Sequence, residues 1–241
     1  MSDWESALRA VASLNQALML HVEARIPPAS QSLFESLNNW YHSVTKKVES
    51  IELSKELVGS GVWVRFGEMG QNLPAGLELL EVRAGFLHIN LNAKDANTFL
   101  LSTFEHLVSS AKNVTDVYAV LLNELWQLNL RGNNRNLERV AREARLRNNV
   151  HPFLPVADAL KPQGTWFSVA NDVRNACQHR DSTGILITRV GRNVAPCIDK
   201  DLCPAKSELD RSLNNFCPWL ADQAYRFIEA AGAALSANPQ L

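Results

Sequence analysis

The chain has 241 residues, of which 46% are hydrophobic and 20% charged, and its formal net charge is −1. That length fits one large domain or a small two-domain protein, and it can bury a sizeable core without disulfide staples. A near-neutral balance excludes a protein that coats nucleic acid, although it leaves room for one that meets nucleic acid through a local basic patch.

Met1-Ser-Asp-Trp-Glu5 lacks the basic start and apolar run of a secretory signal. Apolar residues at helical spacing (Leu8, Val11, Leu14, Leu18, Val22) predict a first helix over 4–25, stopped by Ile26-Pro27-Pro28. Ser30 is a suitable N-cap for a second helix, which carries Leu33, Leu37, Trp40, Val44 and Val48 towards Leu57. Gly59-Ser60-Gly61 breaks that helix, and residues 62–66, 77–82 and 86–91 read as short strands of a small antiparallel sheet or appended hairpin. A structural cap is the favoured reading of this insert over a separate binding module.

Asp95 or Asn97 is expected to cap a long helix over 98–130, on which Phe104, Leu107, Ala111, Val114, Tyr118, Leu121 and Leu125 recur every three or four residues. Residues 131–148 are the basic part of the chain. Arg135, Arg139 and Arg142 stand at i, i+4 and i+7, so on one helix they share a face. Such a stripe suits bidentate contacts to phosphate, with a plain solvated face as the alternative. Pro152, Pro155 and Pro162 interrupt the link to Thr165, a candidate cap for the next helix. Residues 185–190 and 193–197 read as a strand pair, and a last helix is expected over 204–235 with Pro218 as a candidate kink. No stretch approaches the roughly eighteen consecutive apolar residues of a membrane span. Cys177, Cys197, Cys203 and Cys217 read as reduced thiols, and their spacing lacks a tight zinc knuckle, so neither metal nor other cofactor is expected.

The richest segment is Asp172-Val-Arg-Asn-Ala-Cys-Gln-His-Arg-Asp181. On a helix turning about 100° per residue, with Arg174 at zero, Gln178 falls near 40°, Asn175 near 100° and His179 near 140°. Trp166, Val169, Ala170, Val173 and Cys177 fall between roughly −140° and −40°, so a core face lies opposite a polar one. That polar face holds a fixed cation, two amides and a titratable imidazole. Two other Arg-to-His spacings occur. Arg83 and His88 lie in a predicted hairpin, where an odd separation along a strand sends side chains to opposite faces. Arg145 and His151 run into Pro152, which ends the helix.

Arg174-Asn175-Ala176-Cys177-Gln178-His179 resembles the HEPN superfamily, whose helical domains carry an Arg-x(4–6)-His motif, often with a polar residue after the arginine. Trp166-Phe167 before it and Arg180-Asp181 after it are similar to the branch with an RNxxxHR signature. The resemblance is tightest over 165–181, looser over 99–130, and does not extend to the first ninety residues. It implies a mainly α, HEPN-like helical bundle with small antiparallel β additions, in which residues 1–92 elaborate a helical core at 95–235. It further implies a metal-independent endoribonuclease, commonly a homodimer whose facing motifs form one RNA-cleaving cleft. Such proteins act as toxins, in phage defence or in RNA processing, and an antitoxin or regulatory partner would fit.

The residues support that chemistry in their own right. Cleavage through the 2′-hydroxyl needs a base, an acid for the leaving 5′-oxygen and positive charge at the phosphorane. His179 suits proton transfer near neutral pH, and Arg174 stays cationic. Asn175 and Gln178 orient phosphate or imidazole without adding charge. Asp116 is the carboxylate expected to orient Arg174 or His179, with a solvated face as the alternative. Arg135, Arg139 and Arg142 are the candidate RNA contacts, and Arg174, Asn175 and His179 the candidate catalytic group. One histidine does not easily serve as both acid and base, and a cytoplasmic dimer would supply the second. The competing expectation is a non-catalytic HEPN-like module that binds nucleotide or protein.

Overall fold

The structure, a computed structural model, describes residues 3–23, 29–59, 79–84, 87–132, 136–147, 150–179, 185–190 and 193–237. Most of these residues are helical. In chain order the elements are α1 (Trp4–Glu23), α2 (Ala29–Gly59), β1 (Leu79–Ala84), β2 (Leu87–Asn92), α3 (Ala93–Leu125), α4 (Leu137–Leu146), α5 (Phe153–Asp158), α6 (Trp166–His179), β3 (Ile185–Val190), β4 (Asn193–Ile198), α7 (Glu208–Arg211) and α8 (Leu213–Ala237). The expected strand at 62–66 lies outside the described residues. Among the described residues no helix is long and apolar enough to cross a membrane.

The chain divides into two compact units, and the division falls inside α2, α3, α6 and α8. The first unit takes Met1–Glu49, Ser110–Ser168 and Asp222–Leu241, and the second takes Ser50–Ser109 and Val169–Ala221. In the first unit, α1 buries Ala7, Val11, Leu14, Leu18 and Val22, the stripe that a 3.6-residue period requires. The aromatic centre of this unit is Tyr118. Its ring meets Trp40 edge-on at 5.5 Å and Phe227 edge-on at 5.4 Å, and stacks on Phe153 at 6.5 Å. These are the offset and T-shaped arrangements that ring quadrupoles favour. Burial without a partner for its hydroxyl among the described residues raises the Tyr118 pKa well above the phenol range.

The second unit holds both hairpins, the first half of α3, most of α6, α7 and the start of α8. Phe104 of α3 and Phe216 of α8 meet at 6.1 Å in its core. β3 pairs with β4 antiparallel, and Cys197 forms a further bridge to Ser212. β1 pairs with β2 in a register that places Arg83 directly opposite His88. Directly opposed residues share a face of an antiparallel ribbon. The odd-separation rule used above holds along one strand and not across a hairpin, so it does not separate these two residues.

Helix boundaries depart from expectation in four places. α2 starts at Ala29, ahead of Ser30, and α3 starts at Ala93, ahead of Asp95 and Asn97, so none of these three residues is an N-cap. β2 runs straight into α3 at Asn92, which leaves no loop for a cap to close. α3 stops at Leu125 rather than 130, because the next three residues form a Schellman closure. Gln127 N donates to Glu124 O at 3.1 Å and Leu128 N to Asn123 O at 3.0 Å, with Gln127 left-handed at φ 49°. Glycine normally marks that position, and here glutamine holds it. The last helix is split: Ser207 caps α7, accepting from Asp210 N at 3.2 Å, and Ser212 turns extended before α8 begins.

Candidate active site

α6 begins on chemistry visible in the sequence. Thr165 Oγ1 accepts from Ser168 N at 3.3 Å, and Ser168 Oγ accepts in return from Gly164 N at 2.9 Å. Gly164 sits at φ 85°, where a side chain would be strained. This reciprocal cap starts the helix at Trp166 and so sets the phase of everything after it. Trp166, Val169, Ala170, Val173 and Ala176 are buried, while Asp172 and Asn175 are exposed. Ala176 widens the buried arc beyond the sequence estimate, to about −160°.

Arg174 lies at the edge of that arc and is half-buried. Its Nε is buried without a hydrogen-bond partner among the described residues, and no ion pair there neutralises it. A buried donor left unmet in this way costs stability. The backbone of α6 carries Gln178 and His179 in its last turn, and their side chains lie outside what the structure describes.

Cys177, one turn from Arg174, is half-buried, and burial reinforced by the nearby Glu105 carboxylate raises its thiol to about 11. It therefore stays a neutral thiol at physiological pH and is no nucleophile there. Glu105 of α3 is a carboxylate close to Cys177 of α6 within the second unit, and the sequence reading missed it. Asp116, the acid expected in that role, is held by Lys112 one turn earlier on α3. Asp116 falls in the first unit and Arg174 in the second. Asp172 approaches Cys203, whose thiol burial also lifts to about 11, with nearby Lys206 and Arg211 opposing the shift. Lys206 lies 3.5 Å from the centre of the Trp219 ring, and its burial lowers its pKa. Among the described residues no three His, Cys, Asp or Glu side chains are grouped to share a metal ion.

The basic segment is arranged differently from the expected stripe. α4 begins at Leu137, capped by Asn136, whose side chain accepts from Arg139 N at 2.9 Å. Arg135 precedes the helix and lies outside the described residues, so the helical stripe reduces to Arg139 and Arg142. Arg142 is exposed, and Arg139 is half-buried with its Nε unmet among the described residues. Arg145 and Arg147 are engaged by the protein itself. Arg145 pairs with Asp158, and Arg147 donates to the carbonyls of Gln127 at 3.0 Å and Leu128 at 3.1 Å. His151 is buried, its Nδ1 accepting from Phe153 N at 3.1 Å.

No family model matches the chain, and comparison with curated proteins and with solved structures gave no match.

Proposed function

We propose that this protein is a metal-independent endoribonuclease with a HEPN-like helical bundle, the two hairpins being additions to it. The observation that carries the reading is the Arg174-Asn175-x3-His179 sequence on α6, with Arg174 at the edge of the buried arc, its Nε buried and unmet among the described residues, and Asn175 exposed beside it. His179 moves the proton between the 2′-hydroxyl and the leaving 5′-oxygen, and Arg174 meets the charge that builds on the phosphorane. Asn175 and Gln178 hold the phosphate or the imidazole. Arg139 and Arg142, with Arg135 just before the helix, contact the RNA backbone. A homodimer brings two copies of the motif together and so provides both a base and an acid. A toxin or phage-defence effector held in check by a regulatory partner is the biological role that fits this chemistry.

The test is cleavage of an end-labelled, mixed-sequence RNA in excess EDTA, comparing wild type with His179→Ala at matched purity. Cutting by wild type alone, leaving 2′,3′-cyclic phosphate ends, is expected. Equal cutting by both proteins would place the activity elsewhere. No cutting by either would favour the non-catalytic binding module, for which the half-burial of Arg174 is the supporting observation.

A further inference from the structure

One residue of α4 stands outside that helix's pattern. With Arg139 at zero, the buried residues Leu137, Val140, Ala141 and Ala144 fall between about 100° and 200°. Arg142 falls near −60° and Leu146 near −20°, so Leu146 stands on the arginine stripe, away from the core face. It is 72% exposed, and Val150, just past the helix, is 92% exposed. They are the two most exposed large apolar side chains among the described residues. An apolar residue exposed singly is ordinary on a protein surface, but these two belong to one short stretch of the first unit.

Two contacts hold that stretch in place. Arg147, next to Leu146, donates to the carbonyls of Gln127 and Leu128, and His151, next to Val150, sets its ring 5.5 Å from that of Trp126. Both apolar residues are tied through their neighbours to the turn that ends α3. Charge is concentrated on the same stretch. Residues 131–150 hold six arginines and two glutamates, a net +4, so the rest of the chain carries −5. Arg142, one helical turn from Leu146, is exposed and in no ion pair among the described residues, with Glu138 the exposed carboxylate one turn before it.

Arginines alone suit any polyanion. Apolar side chains that project among them need a partner with an apolar interior beneath its negative charge, and duplex RNA, with its bases stacked, offers none. A protein partner fits poorly, because a stable interface takes about 800 Å2 per partner, far more than two aliphatic side chains supply. A lipid surface requires no matching shape, attracts arginine to its headgroups and takes apolar side chains below them.

We infer that the end of α4 docks on an anionic lipid surface, with Arg139 and Arg142 at the headgroups and Leu146 and Val150 at the acyl boundary. The contact is peripheral and involves no spanning helix. It does not rest on the ribonuclease reading, but the two share Arg139 and Arg142, so lipid-bound protein has those arginines withdrawn from RNA.

Co-sedimentation of the full chain with vesicles of phosphatidylcholine, or of equal parts phosphatidylcholine and phosphatidylserine, tests it. Binding is expected to the anionic vesicles only, and it should weaken as salt is added. Leu146→Ser and Val150→Ser, both at exposed positions and checked for folding by circular dichroism, should each weaken it about tenfold. Arg142→Ala should weaken it about fivefold. Absence of binding to the anionic vesicles, or binding that both serine variants retain in full, would overturn the inference. Serine variants that lose affinity for single-stranded RNA in place of lipid would hand the apolar pair to unpaired bases and equally overturn it.

Discussion

Arg145 and Arg147, at the end of α4, and Arg174 of α6 sit in segments of similar character and differ in their partners. Arg145 and Arg147 close the architecture of the first unit, one on Asp158 and the other on the carbonyls that end α3. Those carbonyls lie in the turn just past the C-terminus of α3, so a guanidinium there fixes the turn and stands near the negative end of the helix dipole. Arg174 has no such employment among the described residues, although its Nε is buried. The contrast separates charge consumed by folding from charge that the fold leaves unpaired among the described residues, a distinction that composition alone does not draw.

The sharpest way to break this contrast is to remove one arginine of each kind. Arg174→Ala should lower RNA cleavage by roughly 10²-fold or more while leaving the urea midpoint nearly unchanged. Arg147→Ala should do the reverse, costing about 1–2 kcal/mol in urea titration through two lost charged hydrogen bonds on a half-exposed side chain, with cleavage by the folded protein retained. If Arg174→Ala unfolds the protein and Arg147→Ala silences it, the assignment is inverted.

A smaller effect sharpens the comparison inside α4. Arg142 is exposed and unpaired among the described residues, whereas Arg145 is tied to Asp158 and to Leu154 O at 3.5 Å. Arg142→Ala should reduce the slope of log affinity for single-stranded RNA against log salt by about 0.7, one phosphate contact. Arg145→Ala should leave that slope alone and cost roughly 0.5–1 kcal/mol of stability. Equal slopes for the two variants would remove α4 from the RNA surface.

What could be read in advance divides along the same line of local against distant partners. The stripe of α1, the Thr165 cap and the buried arc of α6 are local, with every determinant within a few residues, and periodicity finds them. Lys112 stands four residues before Asp116, so the ion pair that occupies the expected supporting acid was equally local and was overlooked. The partners of Arg147 lie 19 and 20 residues away, and the approach of Glu105 to α6 depends on tertiary packing. No spacing rule reaches those. The Arg83–His88 pairing shows a third kind of failure, where the rule was sound for a strand and the register made it irrelevant.

The end of α3 supplies the smallest effect and the cleanest test of whether distant contacts override local preference. Nothing in Leu125-Trp-Gln-Leu128 signals a stop, because glutamine has no special tolerance of the left-handed region. The turn is imposed from outside, by Asn123 on Leu130 and by Arg147 on the carbonyls of Gln127 and Leu128. Gln127→Gly should therefore relieve strain of about 1 kcal/mol, partly offset by the greater freedom glycine gains in the unfolded chain. The expected net result is a small rise in the urea midpoint, and it should be smaller in the Arg147→Ala background, where the clamp that enforces the conformation is gone and Gln127 can relax. A lower midpoint in both backgrounds would mean that the Gln127 side chain contributes more to the turn than its backbone costs.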